Sequence, residues 1–414
     1  MLHASKFQPE IIPINGSAAA QTISRAQAMD PTGTLNRQKI NEIGRLETVG
    51  WVKKTPTITY KLTQTEYGSF DFWRKVTNSA DSVQTIDLTN FRIASFDIAA
   101  FLTDDDGSFR GTLVYPHLRT TSFDLNIGSP DATIERTFNF VGEKAVTFRG
   151  NAPYFISVDK TSTGPLDNTI DCSVRAPAIN PDVPVGFTNA QKYIFRLMRT
   201  RAGISTLLDP VLDYTYDTGT KMVTVVDAQN LDFFRGWFAS ASAPATLFTK
   251  NDVDAAGLNA DTSSIYMYIP ASGEPNAQAY VYRLQSVALA VAMTRSDLKE
   301  IGNPEVVQLG VNEYKVTVKL GRILEKFTIE EVLRGAGTDY PVLDISKLST
   351  NVSLIVKIFT DNTKQTLLYG MKLDKLTPTD VTQGAAANQY VKADDSLEGE
   401  TVIISTDNAM IGGL

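Results

Sequence analysis

A strand pattern recurs 258 residues apart. Ile58-Thr-Tyr60-Lys-Leu62 and Tyr314-Lys-Val316-Thr-Val318-Lys-Leu320 both alternate apolar with Thr or Lys side chains. Period two of this kind puts the apolar set on one face of a half-buried strand. Other short runs repeat in the same order. Asn41-Glu-Ile-Gly44 falls on Lys299-Glu-Ile-Gly302 at an offset of 258, and Ile86-Asp-Leu88 on Leu343-Asp-Ile345 at 257. Leu102-Thr-Asp104 falls on Phe359-Thr-Asp361 at 257, and Thr112-Leu-Val-Tyr115 on Thr366-Leu-Leu-Tyr369 at 254. The drift of three residues is assigned to a hairpin tip between Asp104 and Thr112, where length changes are tolerated. Ala26-Gln-Ala-Met29 pairs with Ala290-Val-Ala-Met293 if the first copy carries a longer loop. The competing explanation is that β-rich chains reuse similar strand composition. The duplication divides the chain into an N-terminal segment (1–19), a first unit (20–149), an intervening or inserted domain with linkers (150–283), a second unit (284–406) and a tail (407–414).

The sequence reads as mainly β, a sandwich or barrel with one short helix per unit. Turn signals separate the strand runs: Asp104-Asp-Asp-Gly107, Asp217-Thr-Gly219 and Asp361-Asn362. Helical periodicity is confined to Thr34–Ile43 and Phe327–Leu333. The middle region matches neither copy. It opens on turn-rich sequence and then carries strand-like runs at Lys192–Met198, Asp213–Tyr216 and Met222–Val226. A connection this long normally has structure of its own.

Composition narrows the chemistry. Cys172 is the only cysteine, so neither an intramolecular disulfide nor a Cys-based zinc site can form, and two histidines, His3 and His117, leave little for a metal centre. Hydrophobic residues at 43% and charged residues at 21% indicate a folded chain. The net charge of −7 disfavours tight binding to a phosphate backbone. The longest apolar stretch, Val287–Met293, is too short for a membrane helix. The N-terminus lacks a signal-peptide pattern. No P-loop, zinc-protease or nucleophile-elbow motif is present, and Ser296-Asp-Leu-Lys299 lacks the partner motifs of penicillin-recognising enzymes. Asp104–Gly107 lacks the spaced ligands of a calcium loop. No catalytic, metal or cofactor residues are assigned. Phe70-Asp-Phe-Trp73 and Phe233–Phe238 read as packing aromatics, with a sugar platform as the alternative.

Four stretches in succession carry a resemblance: Glu42-Ile-Gly44; Val52-Lys-Lys-Thr-Pro56-Thr-Ile58-Thr-Tyr60-Lys-Leu62; Tyr67-Gly-Ser-Phe70-Asp-Phe72-Trp73; and Thr133-Ile-Glu-Arg-Thr-Phe138-Asn-Phe140-Val-Gly142. Together they resemble the major tail tube proteins of long-tailed bacteriophages. The resemblance covers about 250 residues and is weaker in the second copy, where Phe72-Trp73 has no aromatic counterpart near Ile329-Glu330. It implies a structural virion protein, assembled in the host cytoplasm, whose strands complete a large barrel around a DNA channel. A chain with two fused units would form homotrimeric rings of pseudo-sixfold symmetry, stacked into a tube. The implied partners are further copies of the chain, tape-measure and tail-end proteins, and double-stranded DNA in non-specific passage, with no membrane. Another ring-forming tail component (distal tail, terminator or hub) and a virion adhesin binding sugars through the middle domain remain alternatives.

The strand Ser286–Arg295 carries a small-residue face, Ser286, Ala288, Ala290, Ala292 and Thr294, against a bulky face, Val287, Leu289, Val291 and Met293. The small face is expected to line the barrel or meet a neighbour, so that a large charged residue at Ala290 would block polymerisation. Ile23–Met29, with Arg25 and Gln27, is its expected counterpart in the first copy. The stretch Asp30–Lys39, longer than its second-copy equivalent, reads as an inter-ring loop, with Asp30, Thr34, Asn36, Arg37 and Lys39 as its contacts.

Overall fold

The computed structural model describes residues 7–13, 21–23, 25–34, 37–41, 48–53, 57–103, 109–128, 132–142, 145–149, 154–173, 186–194, 196–202, 204–240, 258, 260–268, 279–280, 284–299, 306–324, 352–385 and 390–411. The protein is mainly β, with large antiparallel sheets and two short helices among these residues.

The first unit contains β1 (Phe7–Pro13), β2 (Gln21–Thr22), β3 (Ala26–Thr34), β4 (Arg37–Asn41), β5 (Thr48–Lys53) and β6 (Thr57–Thr65). These are followed by α1 (Asp71–Val76), β7 (Thr85–Asp87), β8 (Phe96–Thr103), β9 (Phe109–Ile127), β10 (Glu135–Gly142) and β11 (Val146–Arg149). The middle region holds β12 (Tyr154–Thr161), β13 (Thr169–Asp171), α2 (Asn189–Tyr193), β14 (Arg196–Arg201), β15 (Ile204–Leu207), β16 (Tyr214–Asp217), β17 (Met222–Val225) and β18 (Phe233–Ser240). The second unit contains β19 (Ser263–Tyr268), β20 (Ala279–Tyr280), β21 (Leu284–Lys299), β22 (Val306–Ile323), β23 (Val352–Phe359), β24 (Leu367–Gly384), β25 (Lys392–Gly399) and β26 (Thr401–Ser405).

The two units share a strand order. In the first, β2–β1–β8–β9–β11 form one sheet and β3–β6–β10–β9 another. In the second, the orders are β20–β19–β23–β24–β26 and β21–β22–β25–β24. Registers coincide as well. Ile58 pairs with Gly142 and Leu62 with Phe138, while Val316 pairs with Gly399 and Leu320 with Asp395. Even the bulges recur, Gln27 beside β6 matching Gln285 beside β22.

β9 and β24 each pass from one sheet into the other. A strand that changes sheet needs an irregularity at the corner. Here it is a residue with left-handed backbone, His117 (φ 57) in β9 and Lys375 (φ 57) in β24, again 258 apart. The Asp97 carboxylate accepts the His117 N–H at 2.7 Å. A glycine then closes on each corner. A Cβ on Gly142 would lie 2.8 Å from Leu118 Cδ2 and 3.5 Å from the Pro116 carbonyl, and one on Gly399 2.5 Å from Leu376 Cδ2 and 3.5 Å from the Asp374 carbonyl.

The units share one core, including Phe72, Trp73, Phe123, Phe138, Leu289, Leu354 and Tyr369. Trp73 meets Phe123 edge-on at 4.7 Å, and Phe72 meets Phe138 at 5.1 Å. The aromatic run Phe70–Trp73 is thus core: helix α1 has the spacing to put Phe72, Trp73 and Val76 inward and Asp71 outward. The middle region has a separate core around Ile170, Leu197, Tyr214, Phe234 and Phe238. It is built on the sheets β12–β18–β14–β15 and β13–β17–β16. Burial of Phe234 and Phe238 removes both from any sugar platform.

Several expectations change. β1 and β19 pair with β8 and β23, so the strands of the two copies begin at Phe7 and Ser263 rather than near 20 and 284. Thr34 ends β3 and Arg37–Asn41 is a strand, not a helix, because it pairs with Thr48–Lys53. Lys192 and Tyr193 end α2, whose Thr188 and Gln191 form a reciprocal capping box, and the strand starts at Arg196. The ladders match Thr112 with Gly370 and Tyr115 with Leu373, so β9 and β24 run at an offset of 258 throughout, without the drift of three residues. Phe327–Leu333, Leu343–Ile345 and Asp104–Gly107 lie outside the described residues.

Candidate functional site

The two units join edge to edge. The C-terminal half of β9 pairs with β21, from Ile127 opposite Val287 to Ser122 opposite Ala292. The result is one antiparallel run of eight strands, β3–β6–β10–β9–β21–β22–β25–β24. The last strand of unit 1 thus pairs with the first strand of unit 2. The first strand of unit 1, β3, and the last of unit 2, the C-terminal half of β24, have no second strand partner among the described residues.

One face of this run packs on the core. Ile58, Tyr60, Leu62, Phe138, Phe140, Phe123, Leu125, Val287, Leu289, Val291, Val316, Val318 and Leu320 are all buried. The other face is built from short polar side chains, Thr57, Thr59, Thr63, Thr137, Asn139, Asn126, Thr317 and Ser396. Among the described residues, exposed or partly exposed charges on it comprise four lysines (61, 315, 319 and 392) and seven carboxylates (Asp30, Asp124, Glu135, Glu313, Asp380, Asp394 and Glu398). Lys315 pairs with Glu398 at 2.5 Å. Acid outnumbers base, so the face repels phosphate on balance. Burial raises the Asp124 carboxyl above its ordinary pKa while nearby Lys61 pulls it down.

The small-residue strand lies within this surface. Val287, Leu289, Val291 and Met293 are buried, Ala288 and Ala290 are half-buried, and Ser286, Ala292 and Thr294 are exposed. Ala290 has Asp124 on one side and Thr317 on the other, so β21 is an internal strand of the sheet. Ladder register also moves its counterpart. Ala26 matches Leu284 and Thr34 matches Ala292, so Ala28–Thr34, not Ile23–Met29, is equivalent to Ser286–Ala292. Arg25 (φ 54) is exposed and precedes β3, and Gln27 is its exposed bulge residue. The unread signal was Arg25-Ala-Gln27 against Arg283-Leu-Gln285, at the same offset of 258.

Asp30 and Thr34 are exposed on β3, and Arg37 and Lys39 are exposed on β4, while Asn36 is outside the described residues. The described residues of the expected loop are therefore strand, and the stretch has the same length in both copies: Asn41 pairs with Thr48 as Lys299 pairs with Val306. Pro31 and Gly33 suggested a loop, but Pro is admissible on an edge strand, where a donor is not required on the open side.

Charged groups fasten the seam from behind. Glu66, Arg136 and Tyr369 are fully buried together. The Glu66 carboxylate accepts from Arg136 Nη1 at 3.0 Å and from the Tyr369 hydroxyl at 2.7 Å, while Arg136 Nε donates to Gln64 at 3.2 Å. The Arg136 guanidinium lies 5.0 Å from the Phe72 ring centroid and 5.7 Å from that of Trp73. Tyr369 belongs to unit 2 and the others to unit 1. Burial first, and then the Glu66 charge, hold the Tyr369 phenol far above its usual pKa, keeping it a donor. Arg295 on β21 also crosses, donating to the carbonyls of Thr120 at 2.8 Å and Arg92 at 3.2 Å. Burial pushes its pKa down to about 10.

No group of three or more His, Cys, Asp or Glu suited to a metal ion occurs among the described residues, and no helix among them is long and apolar enough to cross a membrane. His117 lies within 2.9 Å of Arg119 at the corner.

No protein-family model and no curated protein matches the sequence. Among solved structures, the baseplate of the anti-feeding prophage (AFP), six-fold symmetrised, contains a chain similar over 35% of this chain and 93% of its own, at 11% identity and a TM-score of 0.28. The sheath-tube complex of an extracellular contractile injection system, PVC, in its extended state, contains one similar over 34% of this chain and 87% of its own, at 9% identity and a TM-score of 0.24.

Proposed function

We propose that this chain is a structural, non-enzymatic subunit of a phage-type tail tube, with copies joining edge to edge into rings that stack around a channel for DNA. The observation that carries this is the seam between β9 and β21. It joins two equivalent units head to tail, and the equivalents of its two strands stand at the ends of the same sheet. A heterologous contact of this kind closes into a ring when its rotation closes. Closure also removes the sheet edges, which are otherwise aggregation sites. Two units per chain make a homotrimer the pseudo-sixfold solution. Its barrel would place the polar, net-acidic face toward the lumen, where phosphates must slide rather than bind. In that setting the chain works as part of a virion, with tape-measure and tail-end proteins as partners. The separate core of the middle domain suits a position outside the barrel, since the lumen must stay clear.

Electron microscopy of the concentrated protein tests this. Hollow rings or tubes with three chains per ring are expected. Single rings that never stack favour a distal tail, terminator or hub component. Monodisperse monomers under all assembly conditions overturn the reading.

A further inference from the structure

We infer that one copy's β3 pairs antiparallel with the C-terminal half of the next copy's β24, in the register already used inside the chain between β21 and β9. This rests on the ring-forming reading above and adds the residue-by-residue contact. Inside the chain, Ala290 stands opposite Asp124, Ala288 opposite Asn126 and Ala292 opposite Ser122. The ladders with β22 and β6 make Thr32 the equivalent of Ala290, and those with β25 and β10 make Thr382 the equivalent of Asp124. The junction between chains therefore sets Thr32 opposite Thr382, Asp30 opposite Gly384, and Thr34 opposite Asp380.

Burial marks the same two strands as unfinished. Leu289 and Val291 are buried at the internal seam, whereas their equivalents Pro31 and Gly33 are exposed. Phe123 and Leu125 are buried, whereas their equivalents Val381 and Gln383 are partly exposed and exposed respectively. A strand whose core-side positions face solvent on both members of an equivalent pair lacks the element that covers them. The internal seam supplies that element's identity, a second copy of this sheet. Pro31 gives no N–H, so one rung of two adjacent ladders lacks a donor. Asp30 and Asp380 put charge on each open strand, a device that suppresses pairing in wrong registers.

The test uses the full chain with Cys172→Ser, which removes the only native thiol. Thr32→Cys and Thr382→Cys are added together. In one chain they sit on opposite ends of eight strands, seven spacings of about 4.8 Å along the sheet, so a disulfide between them must link two chains. Oxidation of assembled protein is expected to give covalent oligomers on a non-reducing gel. Thr32→Cys with Asp380→Cys, shifted by two residues, is expected not to link. Ala290→Cys with Asp124→Cys should close within one chain. Rings or tubes in which only the shifted pair links, or in which the internal pair alone links, overturn this register while leaving ring formation intact. Wild-type protein that never assembles overturns ring formation itself. Should the cysteine variants not assemble where wild type does, hydrogen exchange on wild type decides. Amides of Asp30–Thr34 and Asp380–Gly384 must slow on assembly, and unchanged exchange there overturns the inference.

Discussion

Replacing Arg136 with leucine separates the two units' shared electrostatics from their packing. Arg136 and Glu66 are fully buried, and their side chains meet at 3.0 Å. The variant leaves the Glu66 carboxylate in the core with the Tyr369 hydroxyl at 2.7 Å and the N–H groups of Tyr67 at 3.1 Å and Gly68 at 3.4 Å as its remaining donors. Removing one member of a buried pair costs about 3–5 kcal/mol, because an uncompensated charge stays behind. Loss of the cation from among the rings of Tyr67, Phe72 and Trp73 adds about 0.5–2 kcal/mol. Tyr369→Phe removes one hydrogen bond to a charged group and should cost about 1.5–3 kcal/mol. Adding Glu66→Gln to Arg136→Leu removes the stranded charge, so the double variant should recover more than half of the single variant's loss. Urea unfolding followed by tryptophan fluorescence suits the measurement, since Trp73 lies against the guanidinium. A cost below about 1 kcal/mol for Arg136→Leu, or a double variant no more stable than the single, would refute the view that this pair depends on mutual compensation.

Three further outcomes follow from local geometry. Gly142→Ala and Gly399→Ala each drive a methyl into the corner leucine and should each lower stability by about 1–3 kcal/mol in thermal or urea unfolding; a neutral result at either corner would contradict the close approach. Burial raises the pKa of Asp124, so its charged form opposes folding, and the penalty grows as pH rises through the folded-state pKa and vanishes at low pH. Asp124→Asn should therefore raise Tm at pH 7, with the gain fading toward pH 4; a gain that increased on acidification would reverse the sign of the argument. Cys172 is buried, with its thiol pushed up to about 12 by burial first and by Asp171 second, so it should resist alkylation in native protein at pH 8 and react on unfolding, as a thiol titration would read.

The strand pair near Ile58 and Val316 was legible in sequence because its alternation is strict and its core side is apolar in both copies. The match of Asn41 to Lys299 also holds in the ladders, but register at three other places was not legible. Thr112–Tyr115 was matched four residues away from its structural equivalent, and Ala26–Met29 six residues away. Those two errors are even numbers, whereas Leu102 was matched one residue away from its ladder equivalent, Ile358, in β23, a strand buried on both faces that carries no alternation to set a register. A slip of one residue exchanges the two faces of a strand, but an even slip preserves them, so hydrophobic alternation cannot detect it. What fixes those registers is long-range: the left-handed turns at His117 and Lys375, the glycines that close on them, and the bulges at Gln27 and Gln285. The extended hairpin around β4 was hidden for a different reason. Pro31 and Gly33 are turn-forming residues, and only pairing across 40 residues of chain or fewer reveals that an edge strand is carrying them.

The copies diverge in apolar character at the open strands. The equivalent pairs Ile58/Val316 and Leu62/Leu320 stay buried and apolar, and the corner contacts of Gly142 and Gly399 remain superimposable in kind. At the seam, by contrast, Leu289 and Val291 on one strand answer to Pro31 and Gly33 on the other, and Phe123 and Leu125 answer to Val381 and Gln383. Large apolar side chains supply about 1.5–3 kcal/mol each when fully buried, and Pro, Gly and Gln supply far less. The internal seam is thereby committed to staying closed, while the equivalent strands at the sheet ends can stand in water. Under the ring-forming reading proposed above, a chain soluble alone and continuous in company needs that asymmetry, and a pure duplication with two identical seams would not provide it.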